Sequence, residues 1–281
     1  MNQDWHTKSK RPVIVVKYGG NAMTDAGLKQ QVIKNICLLQ NYGYKVVIAH
    51  GGGPFIKQAL LKANIESEFI DGHRVTTPEA LEHVEIALKG QVNSSLVKLI
   101  NQLGYKAVGL SGKDGKIATA VKRMHEKVVN GHVEEHDLGQ VGDVVSIDVQ
   151  LLNLLMENDF IPVLACLAAD VDSNEYNVNA DMFAGHLAGA LKAEKFIVLT
   201  DVDGLMRDKD DPSTLIQNLR TSEIRKLREE SIIQGGMMPK IEACEIALKK
   251  GAGEALIING TVPEQLEAIG RRETVGTSIE I

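Results

Sequence analysis

The chain has 281 residues, of which 44% are hydrophobic and 24% are charged, and its 31 basic and 37 acidic side chains give a formal net charge of −6. This composition excludes an intrinsically disordered chain and lacks the basic surface of a general nucleic-acid binder. No apolar run approaches the length needed to span a bilayer, and residues 1–11 lack the apolar centre of a signal peptide. We therefore expect a cytoplasmic protein without a membrane or nucleic-acid partner.

Short apolar runs alternate with helical patterns along most of the chain. Residues 28–39 and 79–99 repeat apolar side chains at helical spacing. The alternation predicts an α/β fold with an open, mainly parallel β-sheet sandwiched between helices. Ligands of such sheets bind beyond the carboxyl ends of the strands, so we expect functional residues in the loops there. Four runs have the composition of buried parallel strands: residues 13–16, 46–48, 161–165 and 196–199.

Residues 117–146 interrupt this alternation with short strand-like pieces and polar turns. They predict a β-hairpin-rich insertion that could form a lid or a wall. No linker and no repeat of fixed period is visible, so residues 1–281 are expected to form a single domain. A soft division near residue 170 separates two lobes, 12–170 and 171–281, whose motifs are suited to two different ligands.

Two glycine-rich segments follow the first two predicted strands. In residues 17–21 (KYGGN), the glycines allow backbone N–H groups to approach an anion, and Lys17 supplies a positive charge. For this segment alone, a solvated lysine before an ordinary turn is an equally good interpretation. Residues 49–54 (AHGGGP) contain three consecutive glycines, more than a turn needs, and the helix predicted to start at Phe55 adds its free N–H groups to the same anion site.

Three later segments place polar side chains at strand ends or helix starts. Helix capping alone explains Asn179 and Asp181, whereas the second amide, Asn177, needs a further reason. Residues 199–204 (LTDVDG) follow a buried strand, and residues 235–240 (GGMMPK) open another helix. The helix dipole disfavours a lysine at that position unless an anion is bound, so Lys240 is a candidate functional residue.

Standard nucleotide and metal motifs are missing. No GxGxxG opens the first βαβ unit, and Gly112-Lys113 is followed by Asp114 instead of the serine or threonine of a P-loop. Residues 132–136 (HVEEH) match the zinc motif H-x-x-E-H, but that motif needs a helix and these residues lie in the predicted hairpin. We therefore predict a solvated charged segment there and no metal site built by the protein.

Taken together, the motifs resemble those of the amino acid kinase family, and specifically of its members that phosphorylate N-acetylglutamate in arginine biosynthesis. The resemblance extends from Lys17 nearly to the C-terminus, and the order and spacing of the motifs are specific to these enzymes. It implies an ATP-dependent, Mg²⁺-dependent transfer of phosphate to a side-chain carboxylate. The motifs are KYGGNAM at 17–23, AHGGGP at 49–54, DGHRVT at 71–76, GLSGKDG at 109–115, DLGQVGDV at 137–144, YNVNAD at 176–181, LTDVDG at 199–204 and GGMMPK at 235–240.

The resemblance also implies roles for individual residues. Lys17 and Lys240 would stabilise the transferring phosphoryl group, and Asp181 would orient both lysines. The first lobe would bind N-acetylglutamate and dimerise, while the second would bind ATP, with Mg²⁺ held largely by the nucleotide. The implied substrate-binding residues are Gly52, Gly53, Arg74, Asn177 and Asn179. The implied nucleotide-binding residues are Gly19, Gly20, Gly52, Thr200, Asp201, Val202, Asp203, Gly204, Leu205, Met206, Ile232, Ile233, Gln234, Gly236 and Met237.

The chain departs from the family pattern after the third predicted strand. Residues 166–169 (CLAA) stand where the family usually has proline and glycine, which leaves the preferred acyl group open. Arginine-inhibited members carry an additional N-terminal helix that joins dimers into a ring, and the 16 residues before Lys17 lack an apolar helical face. The expectation is therefore a homodimer that is insensitive to arginine.

Two other functions are compatible with the same fold. One is a sister kinase acting on aspartate, glutamate, carbamate or a differently acylated glutamate. The motifs at 71–76 and 176–181 favour N-acetylglutamate over these. The other is a catalytically silent nucleotide-binding regulator, which would be expected to lose Lys17, Asp181 or Lys240, whereas all three are present.

Overall fold

An eight-stranded sheet lies at the centre of the fold. The computed structural model describes residues 11–70, 72–129 and 132–281. Residues 1–10, which make up most of the segment before Lys17, and the predicted turn at 130–131 lie outside the described residues. The sheet strands are β1 (Val13–Tyr18), β2 (Lys45–His50), β5 (Lys106–Ser111), β8 (Phe160–Ala165), β11 (Lys195–Thr200), β12 (Asn218–Arg220), β13 (Glu254–Asn259) and β14 (Thr277–Glu280). The remaining strands are β3 (Phe69–Ile70), β4 (His73–Arg74), β6 (Ala118–Val129), β7 (His132–Ile147), β9 (Leu167–Ala169) and β10 (Glu175–Val178).

The strand order in the sheet is β12-β14-β13-β11-β1-β2-β8-β5. The six strands from β13 to β5 are parallel to one another, whereas β14 is antiparallel to β13 and β12 is parallel to β14. The prediction of a mainly parallel sheet is confirmed, and the four predicted strands are β1, β2, β8 and β11. On one side of β1 lie the strands that precede residue 170 in the sequence, β2, β8 and β5. On the other side lie the strands that follow it, β11, β13, β14 and β12.

Helices cover both faces of the sheet. Alternate strand residues point to opposite faces, so Val15 and Val47 join one apolar cluster and Ile14 and Ile48 join the other. Helices α6 and α8 pack on the first face, and α1, α4 and α9 pack on the second. The helices are α1 (Ala26–Leu38), α2 (Gly53–Lys62), α3 (Pro78–Glu85), α4 (Ser94–Gln102), α5 (Gln150–Glu157), α6 (Ala180–Ala190), α7 (Thr221–Glu229), α8 (Met238–Lys249) and α9 (Glu264–Gly270).

One predicted helix has a different internal structure. The apolar pattern of residues 79–99 predicts a continuous α-helix, but Ile86–Asn93 between α3 and α4 is π-helical. Val92 is buried as the apolar pattern predicts, and the polar side chain of Asn93 is buried beside it. Among the described residues, the helices are too short or too polar to cross a membrane.

The predicted hairpin insertion is present. Strands β6 and β7 pair along their length and close a small barrel with β9 and β10. Residues 132–136 lie in strand β7, so they do not form the helix that a zinc motif requires.

Candidate active site

A buried ion pair lies at the carboxyl end of β1. The Nζ atom of Lys17 is 3.0 Å from Oδ1 of Asp181, and each residue is only 7% exposed. Asp181 is in the first turn of α6, where the helix dipole favours a carboxylate. Asn179 caps this helix by accepting hydrogen bonds from the backbone N–H groups of Asp181 and Met182. Capping thus accounts for Asn179, and it fixes the position of Asp181.

Lys240 belongs to the same charged cluster. It is half-buried at the start of α8, and its Nζ donates a 3.0 Å hydrogen bond to the carbonyl oxygen of Gly236. Burial lowers the pKa of Lys240, the nearby Asp181 opposes that shift, and Lys17 adds to it. Although Oδ1 of Asp181 is paired in charge with Lys17, it accepts no hydrogen bond among the described residues. Two ammonium groups and one carboxylate therefore share a site that favours an additional anion.

The glycine loop at residues 51–53 adjoins this cluster. Gly52 precedes the first turn of α2, which starts at Gly53, so the free N–H groups of that turn face the carboxyl ends of the strands. A Cβ atom at Gly52 would lie 2.7 Å from Leu88, whereas one at Gly53 would meet nothing within 4 Å. The loop is therefore packed on the protein side and open on the other, as an anion-binding loop requires.

A polar pair beneath the loop was not predicted from the sequence. His50 is completely buried at the end of β2, and Asn93 of the π-helical segment is 3% exposed. Nδ1 of His50 is 2.9 Å from the carbonyl oxygen of Gly51, and its Nε2 is 2.9 Å from Nδ2 of Asn93. Burial lowers the pKa of His50 to about 4. The available signal was a histidine that directly precedes three glycines.

Arg74 and Asn177 are brought together by strand β7. The N–H of Thr76 donates a 2.9 Å hydrogen bond to the carbonyl oxygen of Leu138 in β7, and the carbonyl oxygen of Thr76 accepts one of 2.6 Å from the N–H of Gln140. Asn177 pairs with Val141 of the same strand. The side chain of Asn177 lies 3.4 Å from the hydroxyl of Thr76, which in turn donates to the carbonyl oxygen of Arg74. The motifs at 71–76 and 176–181, about a hundred residues apart in the sequence, are thus in contact next to strand β7.

A β-bulge makes this meeting possible. Lys122 of β6 faces Gly142, and Met124 faces Asp137, so residues 138–141 of β7 are opposite Arg123 alone. Their backbone groups are free to pair with the segment around Thr76 and with β10. Bulges of this kind often redirect strands next to functional sites.

The guanidinium group of Arg74 is held on two sides. Nη1 donates a 2.6 Å hydrogen bond to the hydroxyl of Ser67, and the group lies 4.5 Å from the centre of the Phe69 ring. Burial lowers the pKa of Arg74, although an arginine stays charged under all ordinary conditions. Arg74 is therefore a positive charge held in place by Ser67 and Phe69.

The unusual segment 166–169 runs beside Asn177. Leu167 pairs with Asn177, and Ala168 pairs with Tyr176, in the antiparallel pairing of β9 with β10. Cys166 is buried, and burial raises the pKa of its thiol to about 12, so it is an unreactive packing residue. The departure from the family pattern therefore affects the strand that supports Asn177.

A cleft of about 680 Å³ opens on the other side of the cluster, at the carboxyl end of β11. This volume is in the range of small-molecule sites. Lys240 lines it, as do four residues that were not predicted: Arg207, Asp208, Lys209 and Ser231. The predicted nucleotide-binding residues on its wall are Thr200, Asp201, Val202, Gly204, Leu205, Met206, Ile232, Gln234, Gly236 and Met237.

The remaining predicted nucleotide residues lie elsewhere. Ile233 is buried in the core, and Asp203 accepts a 2.8 Å hydrogen bond from the side chain of Asn259, so neither lines the cleft. Gly19 and Gly20 lie between the ion pair and the cleft. A Cβ atom at Gly19 would be 3.1 Å from Nζ of Lys17, and one at Gly20, whose φ is +73°, would be 3.1 Å from Oδ1 of Asp201.

Comparisons with known proteins identify the family of this chain. Residues 12–259 match the model of the amino acid kinase family. An acetylglutamate kinase of Methanococcus aeolicus is 45% identical over 95% of this chain and 91% of its own length. An acetylglutamate kinase of Clostridium kluyveri is 45% identical over 97% of this chain and 93% of its own length. The crystal structure of a Streptococcus mutans protein superposes with a TM-score of 0.73 at 27% identity, covering 95% of this chain and 98% of that one. The chain belongs to the amino acid kinase family.

Proposed function

We propose that this protein is an acetylglutamate kinase, which transfers the γ-phosphate of ATP to the side-chain carboxylate of N-acetyl-L-glutamate in arginine biosynthesis. One observation supports it most directly: the Lys17–Asp181 pair lies between the glycine loop at 51–53 and the cleft that Lys240 lines. A carboxylate substrate on one side and a nucleotide on the other would meet at the two lysines. The relatives named above have the same activity in their names.

The reaction follows from the charges at the site. An oxygen of the substrate carboxylate forms a bond to the γ-phosphorus, and the bond from that phosphorus to the β,γ-bridging oxygen breaks, with its electron pair leaving on ADP. The carboxylate is already ionised at neutral pH, so no general base is required. Lys17 and Lys240 stabilise the negative charge on the transferring group, and Asp181 holds Lys17 in place.

The substrate side supplies groups that match N-acetylglutamate. We assign Arg74 to a carboxylate, which its two terminal nitrogens can bind in a bidentate manner. Asn177 and Asn179 supply amide groups, and the N–H groups of Gly52 and Gly53 approach the anionic end of the substrate. This positioning brings the reacting oxygen to the phosphorus, which is the main contribution an enzyme makes to phosphoryl transfer.

ATP occupies the 680 Å³ cleft in this proposal, with its phosphates toward Gly20 and Lys240. Among the described residues, no group of three or more His, Cys, Asp or Glu side chains could hold a metal ion. A magnesium ion would therefore take most of its ligands from the triphosphate, with Asp201 as the carboxylate that lines the cleft beside Gly20. The bound ion would neutralise part of the triphosphate charge.

The direct test is ADP release from ATP and Mg²⁺ by the purified protein, with N-acetylglutamate, glutamate, aspartate, carbamate and N-succinylglutamate supplied separately. We expect turnover with N-acetylglutamate and little with the others. Efficient turnover of N-succinylglutamate would move the function to a sister kinase with the same mechanism. No turnover with any acceptor, together with nucleotide binding, would indicate the silent regulator instead.

N-succinylglutamate is included because of the segment 166–169. Leu167 and Ala168 support the strand that carries Asn177, and a family proline and glycine are replaced there. We also propose that the protein is a cytoplasmic homodimer, with residues 12–170 binding the acceptor and 171–281 binding ATP. Light scattering measures the mass in solution, and a hexamer or a monomer would contradict the dimer.

A further inference from the structure

The described contacts define the tautomer of His50. A carbonyl oxygen can only accept a hydrogen bond, so Nδ1 of His50 must carry the proton that it donates to Gly51 over 2.9 Å. Nε2 is then the acceptor for Nδ2 of Asn93, also at 2.9 Å. Because burial lowers the pKa of His50 to about 4, the ring stays neutral near pH 7 and both hydrogen bonds persist there.

The bond to Gly51 fixes the orientation of one peptide unit. The carbonyl of Gly51 and the N–H of Gly52 belong to the same planar trans peptide, so they point in opposite directions. Neither glycine has a Cβ atom, so this unit could otherwise rotate at little steric cost. The N–H of Gly52 has no acceptor in the part of the chain that the structure describes. Its direction is therefore set by the group that holds the carbonyl at its other end.

The π-helical segment holds this arrangement from behind. Nδ2 of Asn93 lies 2.9 Å from the carbonyl oxygen of Val163 in β8 and 3.3 Å from that of Leu110 in β5, in addition to the histidine. Leu88 and Val92 of the same segment lie against the Cα atom of Gly52. One short segment thus supports the loop both through its packing and through His50. Helical segments with π geometry are rare and occur frequently at functional sites.

We propose that His50, oriented by Asn93, is a positioning residue that aims the N–H of Gly52 at the anionic reactants. The inference rests on the proposed kinase activity, in which Gly52 contacts the substrate and the ATP phosphates. His50 itself is completely buried and does not touch the reactants. Its effect should appear in turnover, because a misdirected donor fails to stabilise the charge that develops during transfer.

A matched pair of variants separates this role from simple packing. In His50→Asn, the side-chain amide nitrogen can occupy the place of Nδ1 and donate to Gly51. In His50→Gln, the amide lies near the place of Nε2, facing Asn93. Packing alone predicts that the smaller asparagine is the worse replacement, since it leaves the larger cavity. The positioning role predicts the opposite order in turnover.

We expect kcat to fall by about threefold in His50→Asn and by roughly tenfold to a hundredfold in His50→Gln. The KM values for ATP and for the acceptor should change less. Thermal unfolding of both variants should show the packing order instead, with His50→Asn the less stable. Equal or higher kcat in His50→Gln would overturn the inference. Since the unsubstituted protein is assayed in parallel, loss of the proposed activity itself would be recognised by its failure to turn over any acceptor.

A second measurement does not depend on activity. Long-range ¹⁵N–¹H correlation NMR of the histidine-labelled, unsubstituted protein distinguishes a protonated Nδ1 from a protonated Nε2. We expect His50 to be protonated at Nδ1, and its signal is assigned by its loss in His50→Gln. A proton on Nε2 at neutral pH would contradict the inference, even in a preparation without turnover.

Discussion

Two glycine-rich loops of similar composition are supported in different ways. The loop at 51–53 has Leu88 and Val92 against Gly52 and a buried histidine beneath Gly51. At Gly235 and Gly236, an added Cβ atom would meet nothing within 4 Å. The first loop is therefore held by the protein, whereas the second is open and can adjust to what binds.

The same contrast distinguishes the two lysines. Lys17 is buried and paired with Asp181, whereas Lys240 is only half-buried and donates to the backbone of the open loop. Donors fixed before the reaction need no rearrangement during it, so the first region is suited to stabilising charge as it develops. The second region is suited to admitting and releasing a ligand. The following substitutions test this division.

Lys17→Met should have the largest effect and should affect both activity and folding. It removes a charge next to the transferring group and leaves Asp181 buried without its partner. We expect kcat to fall on the order of a thousandfold and the free energy of unfolding to fall by roughly 3 kcal/mol. Steady-state kinetics and urea denaturation measure the two effects.

The double variant Lys17→Met with Asp181→Asn is the control for the first effect. It removes the unpaired carboxylate as well, so most of the lost stability should return while turnover stays low. Recovery of turnover in the double variant would show that Lys17 acts only as a structural partner of Asp181.

Lys240→Ala should reduce turnover without affecting folding. We expect kcat to fall on the order of a hundredfold, because the variant lacks one charge at the transferring phosphoryl group. The unfolding temperature should stay close to that of the unsubstituted protein, since Lys240 is half-buried and, among the residues that the structure describes, its side chain donates a hydrogen bond only to the carbonyl oxygen of Gly236. Normal turnover would refute its assignment, and a large loss of stability would remove the contrast with Lys17.

Alanine at Gly52 and at Gly236 compares the two loops directly, and the expected differences are in stability and in KM for ATP. A Cβ atom at Gly52 would lie 2.7 Å from Leu88, so we expect the free energy of unfolding to fall by about 1 to 3 kcal/mol. Gly236→Ala has free space around it, so its stability should be unchanged while KM for ATP rises. Equal stability of the two variants would mean that the loop at 51–53 accommodates a Cβ atom as readily as the loop at 235–236.

Much of this fold could be predicted from the sequence because buried parallel strands are short, continuous apolar runs. Strands β1, β2, β8 and β11 have that pattern, and glycines or polar residues follow each of them. The charged cluster of Lys17, Asp181 and Lys240 was implied by the resemblance to the family. Local rules alone were not sufficient, because they explain Asp181 by helix capping and allow Lys17 to be a solvated lysine before a turn.

Other features depend on contacts between distant segments. Nothing in the local sequence of residues 79–99 indicates that a π-helical segment forms there, because its geometry depends on the packing of Asn93 between β5 and β8. The cleft residues Arg207 and Lys209 follow the predicted motif at 199–204 in a loop whose path only the folded chain defines. The same holds for the approach of Thr76 to β7, which joins Arg74 to Asn177.

The bulge in strand β7 has a consequence for how this family of sequences can change in length. Gly139 has a φ of +74°, and a Cβ atom there would lie 2.3 Å from the carbonyl oxygen of Thr76. Inserting or deleting a single residue between Leu138 and Val141 would shift Arg74 relative to Asn177 and separate the two acceptor-binding motifs. Length variation should therefore accumulate elsewhere in the hairpin, while this short stretch keeps a fixed number of residues during evolution.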